Sequence, residues 1–97
     1  MKKEIYITIN HLEDFCGLSN IKVDDVLVLK KDHDNYYDDE AIAIYNLNDI
    51  KVGYVANSVR TVARGCQSSG RIYDQFDETI QCKVMFIIND SIIARLI

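Results

Sequence analysis

The sequence lacks the apolar segments that would place it in or across a membrane. No apolar run approaches the ~20 residues that a membrane-spanning helix needs, and the longest, 84–88, stops at five. The first residues after Met1 are charged, and the segment 5–9 alternates apolar and polar side chains instead of forming the continuous core of a signal peptide. We therefore expect a soluble, cytoplasmic protein that makes no contact with a membrane.

The chain also lacks a basic excess. Its 11 lysines and arginines are outnumbered by 15 aspartates and glutamates, which gives a net charge of −4. A domain that clamps duplex DNA by its phosphates normally carries a surplus of positive charge. Any nucleic-acid function must therefore depend on a local site and not on the charge of the whole domain.

Signatures of disulfides, metals and catalysis are missing as well. The three cysteines Cys16, Cys66 and Cys82 are odd in number and show no CxxC spacing, so we expect reduced, unliganded thiols. The histidines lie too far from one another and from the cysteines for a zinc site, and the acidic segment 32–40 lacks the glycine and glutamate spacing of a calcium loop. No GxxxxGK(S/T) phosphate loop is present. We expect no metal, no cofactor and no enzymatic activity of the chain's own.

What the chain does have is the composition of an ordinary globular domain. Apolar residues make up 48% and charged residues 27%, which argues against disorder. Ninety-seven residues are enough for one small domain, and no repeat or linker divides them. There is no proline, which is unusual for a β-rich chain with many loops. We expect a single domain over 1–97.

Alternating and apolar segments predict a mainly β protein. Turn residues at 48–49 and 89–91 separate neighbouring segments. A parallel sheet would need a helix after each strand, so the pattern favours a small, closed or half-closed antiparallel barrel. The predicted strands are 5–9, 26–29, 41–45, 51–55, 71–73, 79–88 and 92–96.

One helix is predicted between these strands, over 58–66. Asn57 or Ser58 can cap it, and 68–70 can end it. Arg60 would lie on an exposed face. An apolar stripe at helical spacing would face the core, formed by Val59, Val62, Ala63 and Cys66.

An ordered series of motifs is the most specific feature of the chain. The strand ending in Lys30-Lys31 is followed by D-N-Y-Y-D at 34–38, A-I-A-I at 41–44 and K-V-G-Y-V at 51–55. This series resembles the HIRAN domain, whose core pattern is an apolar strand, a basic residue, D-N-P-Y-D-x-N-A-I-x-V and then (I/V)-G-(Y/H)-(V/L). The resemblance covers about 24–65.

A weaker part of the resemblance precedes this core, where F-C-G at 15–17 is similar to the family's aromatic-x-Gly segment. Two positions depart from the pattern. Tyr36 stands where the family usually has proline, and Glu40 stands where asparagine is common.

The resemblance implies a fold and a function. HIRAN domains adopt a small OB-like β-barrel, and they occur on fork-remodelling DNA translocases or alone in bacteria and phages. In eukaryotic members the domain is understood to bind the 3′ end of single-stranded DNA. The resemblance therefore implies single-stranded DNA or a DNA 3′ end as partner, in DNA repair or replication-fork processing.

The resemblance also implies roles for individual residues. Tyr37 would stack on a base, and Asp38 would accept a hydrogen bond from the terminal hydroxyl while repelling a terminal phosphate. Phe15 would offer a second stacking face, and Tyr54 would contact a phosphate or sugar. Asn35 occupies a further motif position.

The family often places a basic residue after the fourth strand, where this chain has Asn57 and Ser58. Arg60 would compensate for that missing cation by binding the nucleic acid from the predicted helix.

The residues leave other interpretations open. Tyr37 could pack across the mouth of the barrel, Asp38 could cap a turn, and Phe15 could belong to the core. The domain as a whole could be a protein-interaction module that docks a helicase or nuclease through an open sheet edge or the acidic loop. It could also supply the grip on a DNA end to a separately encoded helicase.

Overall fold

Six antiparallel strands close into a barrel in a computed structural model, which describes residues 4–15, 21–58, 60–89 and 91–97. Neighbouring strands follow the order β1-β4-β3-β2-β5-β6, and β6 pairs with β1 to close the barrel. The prediction of a mainly β, OB-like antiparallel barrel is confirmed. The strands are β1 Tyr6–Asn10, β2 Val26–Lys31, β3 Ile42–Tyr45, β4 Lys51–Val55, β5 Thr79–Ile88 and β6 Ser91–Leu96.

Period-two alternation fills the barrel interior, because every second side chain of a strand points to the same face. Buried aliphatic side chains from all six strands form one core, among them Ile7, Leu29, Ile44, Val52 and Ile92. Each strand has a hydrogen-bonded neighbour on both sides. The open sheet edge considered above as a docking site is therefore contradicted by the described part of the chain.

The helix lies later in the chain than predicted. Residues 60–66 form turns and irregular backbone, and α1 is the short helix Ser69–Ile72, followed by a 3-10 turn at Tyr73–Gln75. The Oγ of Ser68 accepts from the backbone N–H of Arg71 at 3.4 Å and caps α1. The predicted helix at 58–66 and the predicted strand at 71–73 are both wrong. None of the helices in the described ranges is long and apolar enough to cross a membrane.

A hydrogen bond to β1 explains why the described residues 60–66 do not continue as a helix. The carbonyl of Ser58 accepts from the N–H of Val62 at 2.9 Å, which makes one helical turn. The next donor, the N–H of Ala63, binds instead the hydroxyl of Thr8 at 3.0 Å. Gly65 then adopts φ +88°, which lies outside the helical region. The helical ladder is therefore interrupted after a single turn.

The cysteines occupy different environments. Cys82 is fully buried in β5, and burial raises the pKa of its thiol from 9.0 to about 12. Cys66 is half-buried in the turn segment. Both are free thiols. The third cysteine, Cys16, lies outside the described residues, as do Gly17 of the F-C-G segment and Val59 of the predicted helix.

An irregularity between β3 and β4 decides which side chains share the outer face of the barrel. Tyr45 pairs with Lys51 and Ala43 pairs with Tyr54, so β4 contains one extra residue between these two pairs. Such a bulge lets two residues three positions apart point to the same side. As a result, Lys51 and Tyr54 lie together on the outward face.

Candidate nucleic-acid interface

The loop between β2 and β3 is shaped by hydrogen bonds from side chains to the backbone. The Oδ1 of Asn35 accepts from the N–H groups of Tyr37 at 2.9 Å and Asp38 at 3.0 Å. The Oδ1 of Asp38 in turn accepts from the N–H of Glu40 at 2.9 Å. Asn and Asp at the two accepting positions favour such turns. They form here with Tyr36 in the place of the family's usual proline.

Two tyrosine rings project from this loop into solvent. Tyr36 is 97% exposed and Tyr37 is 98% exposed. Tyr37 borders the cleft described below, whereas Tyr36 does not. This exposure contradicts the interpretation in which Tyr37 packs across the mouth of the barrel, and it leaves both faces of the ring open to a ligand.

A cleft of about 400 Å³ opens beside this loop, within the size range of small-ligand sites. It lies between the loop, the segment 10–15 and the residues that follow β4. Five of the six predicted site residues border it, namely Phe15, Asn35, Tyr37, Asp38 and Tyr54. The structure therefore brings together residues separated by up to 39 positions in the chain, from Phe15 to Tyr54.

The sixth predicted residue, Arg60, does not border this cleft. It is exposed on the turn segment and lines a neighbouring depression, which shares Asn10, His11 and Thr61 with the cleft. Its predicted position on a helix is wrong, because Arg60 lies in a turn.

The aromatic wall of the cleft is formed by Phe15 and Tyr54. Their ring centroids lie 6.0 Å apart at an interplanar angle of 53°. Phe15 is 41% exposed and so is not a core residue. The hydroxyl of Tyr54 donates to Oδ2 of Asp32 at 3.0 Å and accepts from Nζ of Lys51 at 3.1 Å. The Tyr54 ring is thereby fixed in position, with its hydroxyl already bound within the protein.

Asp38 is half-buried and held from two sides. Besides the bond to Glu40, its Oδ2 accepts from Nδ2 of Asn57 at 3.1 Å. The Oδ1 of Asn57 accepts from the N–H of Gly70 in α1 at 2.8 Å, which ties the loop to the helix. Because a carboxylate oxygen can accept more than one hydrogen bond, Asp38 retains acceptor capacity toward the cleft. The turn-capping and ligand-binding roles of Asp38 are therefore compatible.

Asn57 is one of the two alternative caps, with Ser58, of the predicted helix at 58–66, and its capping role is wrong because that helix does not form. Its side chain instead connects Asp38 to α1, a contact between residues 19 positions apart. No local sequence pattern indicates such a contact.

The cleft carries negative charge. Asp14 and Asp38 border it, and no lysine or arginine of the described residues does. His11 also borders the cleft, with its Nδ1 3.3 Å from Oδ2 of Asp14 and its backbone at φ 63°. An acidic cleft favours a hydroxyl group over a phosphate, because a phosphate would meet charge of the same sign.

Lys51 is a cation next to the aromatic wall that the sequence motif does not indicate. Its Nζ lies 5.6 Å from the ring centroid of Phe15, 5.8 Å from that of Tyr45 and 5.0 Å from that of Tyr54. The hydrogen bond to the Tyr54 hydroxyl raises the pKa of the Lys51 ammonium above its usual 10.5. Its contact with Tyr54 depends on the bulge in β4, which residue spacing does not reveal.

The closed antiparallel barrel, with one short α-helix among the described residues and a cleft bordered by loops, defines a small OB-like domain. The family model of the HIRAN domain matches residues 6–88, and the chain belongs to this family. HIRAN domains are known as nucleic-acid-binding modules and are not catalytic on their own. No group of three or more potential metal-ligating side chains occurs among the described residues.

Two solved structures are similar to this chain. The HIRAN domain of human HLTF superposes with a TM-score of 0.69 at 17% identity, covering 96% of this chain and 72% of that one. A protein from Lactobacillus plantarum superposes with a TM-score of 0.68 at 19% identity, covering 97% of this chain and 93% of that one. At these identities the likeness concerns the fold. No curated protein sequence matches the chain.

Proposed function

We propose that the domain binds the end of single-stranded DNA that carries a free 3′-hydroxyl, and that it serves DNA repair or replication-fork processing in the cytoplasm. The observation that carries this proposal is the adjacency of an exposed ring and a carboxylate at one acidic cleft. Tyr37 supplies the ring and Asp38 the carboxylate.

Stacking supplies the sequence-independent part of the binding. Aromatic side chains hold single-stranded bases by about 1–3 kcal/mol per base. The exposed ring of Tyr37 is available to one base, and Phe15 offers a second ring at the same cleft. Tyr54, whose hydroxyl is bound to Asp32, contributes its ring to a sugar or base. Arg60 reaches a phosphate from the neighbouring depression.

The carboxylate of Asp38 supplies the selectivity for the end. It accepts a hydrogen bond from the terminal 3′-hydroxyl, and a charge-assisted bond of this kind is stronger than a neutral one. A 3′-phosphate in the same place would face Asp38 and Asp14. Asn35, Asn57 and the N–H of Glu40 keep the Asp38 side chain in position.

The test compares Asp38→Asn with Asp34→Asn by fluorescence anisotropy on oligonucleotides that end in a 3′-hydroxyl or a 3′-phosphate. Asp34 is an exposed acid of the same loop that does not border the cleft, so it controls for the change in charge. We expect Asp38→Asn to weaken 3′-hydroxyl binding by about 1–2 kcal/mol, the difference between a charged and a neutral hydrogen bond. Asp38→Asn should also reduce the difference in affinity between oligonucleotides with a 3′-hydroxyl and those with a 3′-phosphate. Equal behaviour of the two variants would contradict the role of Asp38.

A second candidate function is the docking of a helicase or nuclease. The end of β5 exposes three consecutive apolar side chains, Phe86, Ile87 and Ile88, which are 54%, 37% and 52% exposed. Apolar surface of this kind can mark a protein contact. The same titrations separate the two functions, because a pure docking module would bind none of the oligonucleotides at low salt.

A further inference from the structure

The cleft can hold the end of a strand, yet it offers no cation to the phosphates that follow. Single-stranded nucleic acid is normally held by aromatic faces together with positive charges along the backbone. The described residues that border the cleft include two aspartates and neither lysine nor arginine. The rest of a bound strand must therefore meet positive charge outside the cleft.

Cations and aromatic rings alternate on the outward face of the barrel next to the cleft. Nζ of Lys51 lies near the rings of Phe15, Tyr54 and Tyr45, at 5.0 to 5.8 Å from their centroids. Nζ of Lys30, on the next strand β2, lies 4.6 Å from the ring centroid of Tyr45. The row leads from the cleft across β4 and β3 toward β2, and we call it the β3–β4 track.

Lys51 is the cation of this track that is available to a phosphate. Lys30 is paired with Asp49, at 2.6 Å between Nζ and Oδ1. Among the described residues, no carboxylate oxygen lies within 4.0 Å of Nζ of Lys51. An ammonium group has three N–H donors, and its one hydrogen bond to a described side chain goes to the hydroxyl of Tyr54. Donors therefore remain for a ligand.

We propose that a single strand whose 3′ end occupies the cleft leaves it along the β3–β4 track, where Lys51 binds a backbone phosphate. Tyr45 lines the path with apolar surface beyond Lys51. This inference rests on the proposed function and adds the path that the bound strand follows away from the cleft. The 5′ part of the strand runs across β4 and β3, and the domain contacts several nucleotides instead of the terminal one alone.

The test measures binding of octathymidylate and of a thymidine dinucleotide, both with free 3′-hydroxyls, to the wild type, Lys51→Gln, Lys51→Arg and Lys83→Gln. Lys83 is the matched control, because it lies on β5, three strands away from β4 in either direction around the barrel. Its partner is Asp24, at 3.4 Å. Anisotropy titrations at several salt concentrations give both the affinity and its salt dependence.

We expect Lys51→Gln to lower the affinity for octathymidylate about fivefold, as fits the loss of one partly exposed charged contact. The slope of log affinity against log salt should become shallower by about 0.7, the value for one phosphate of a single strand. The affinity of Lys51→Gln for the dinucleotide should fall by a smaller factor. The variant should therefore prefer octathymidylate over the dinucleotide less strongly than the wild type does. Lys51→Arg should restore both quantities, and Lys83→Gln should leave both unchanged.

Two results would overturn the inference, and they differ in what they say about the proposed function. If Lys51→Gln and Lys83→Gln behave alike, while the wild type still binds a 3′-hydroxyl oligonucleotide more tightly than the same oligonucleotide with a 3′-phosphate, the track is wrong and end binding stands. If the wild type binds neither oligonucleotide at low salt, end binding fails and the track fails with it.

Discussion

Replacing Tyr37 by alanine tests the stacking role with little interference from folding. The ring is 98% exposed, so its removal takes away almost no packing within the protein. The free energy of unfolding should therefore change by less than about 0.5 kcal/mol. Binding of single-stranded DNA should weaken by about 1–3 kcal/mol, which is the worth of one stacked base.

Tyr36→Ala is the control that the loop itself provides. Tyr36 is the preceding residue, it is 97% exposed, and it does not border the cleft. Fluorescence anisotropy with a labelled 3′-hydroxyl oligonucleotide should show a loss for Tyr37→Ala and wild-type affinity for Tyr36→Ala. Equal losses would refute the reasoning, because they would mean that exposure alone, and not position at the cleft, decides which ring binds.

Three further predictions concern the scaffold around the site. A Cβ at Gly53 would lie 2.5 Å from the carbonyl oxygen of Asn10. Gly53→Ala should therefore lower the free energy of unfolding, measured in urea, by about 1–3 kcal/mol. An unchanged urea midpoint would contradict this close approach. Asn57→Ala removes the donor to Asp38 and should reduce the preference for a 3′-hydroxyl over a 3′-phosphate in anisotropy titrations. Because the folded pKa of Cys82, about 12, lies above its ordinary 9.0, its stabilising contribution is complete below pH 9 and is lost as the pH rises toward 12. Urea denaturation across that range should show a steeper loss of stability for the wild type than for Cys82→Ala.

The strands could be predicted from the sequence because their signal is local. Alternating segments and short apolar segments can be recognised from neighbouring residues alone, and the predicted segments at 51–55 and 79–88 coincide with β4 and β5. The predicted helix at 58–66 is wrong, because a residue far away in the sequence binds one of the backbone N–H groups that this helix would need. The stripe at 58–66 has helical spacing, yet the hydroxyl of Thr8, 55 positions away, takes the N–H of Ala63 out of the helical ladder.

The residues of the candidate site likewise differ in whether their roles can be predicted from local sequence. Asn35, Tyr37 and Asp38 stand within four positions of one another in a motif, and their turn is formed by their own side chains. Asn57 and Lys51 act through partners that only the barrel brings near. Asn57 binds Asp38 and also the N–H of Gly70 in α1. Lys51 reaches the hydroxyl of Tyr54 because of the bulge in β4.

Competition between linear and circular single strands tests the central claim most directly. A labelled oligonucleotide with a free 3′-hydroxyl is bound to the wild-type domain and then challenged with unlabelled linear or covalently closed circular DNA of the same sequence. Because the cleft with Tyr37 and Asp38 is proposed to receive a terminal hydroxyl, the linear strand should displace the label and the circle should not. Equal competition by the circle would contradict the binding of DNA ends.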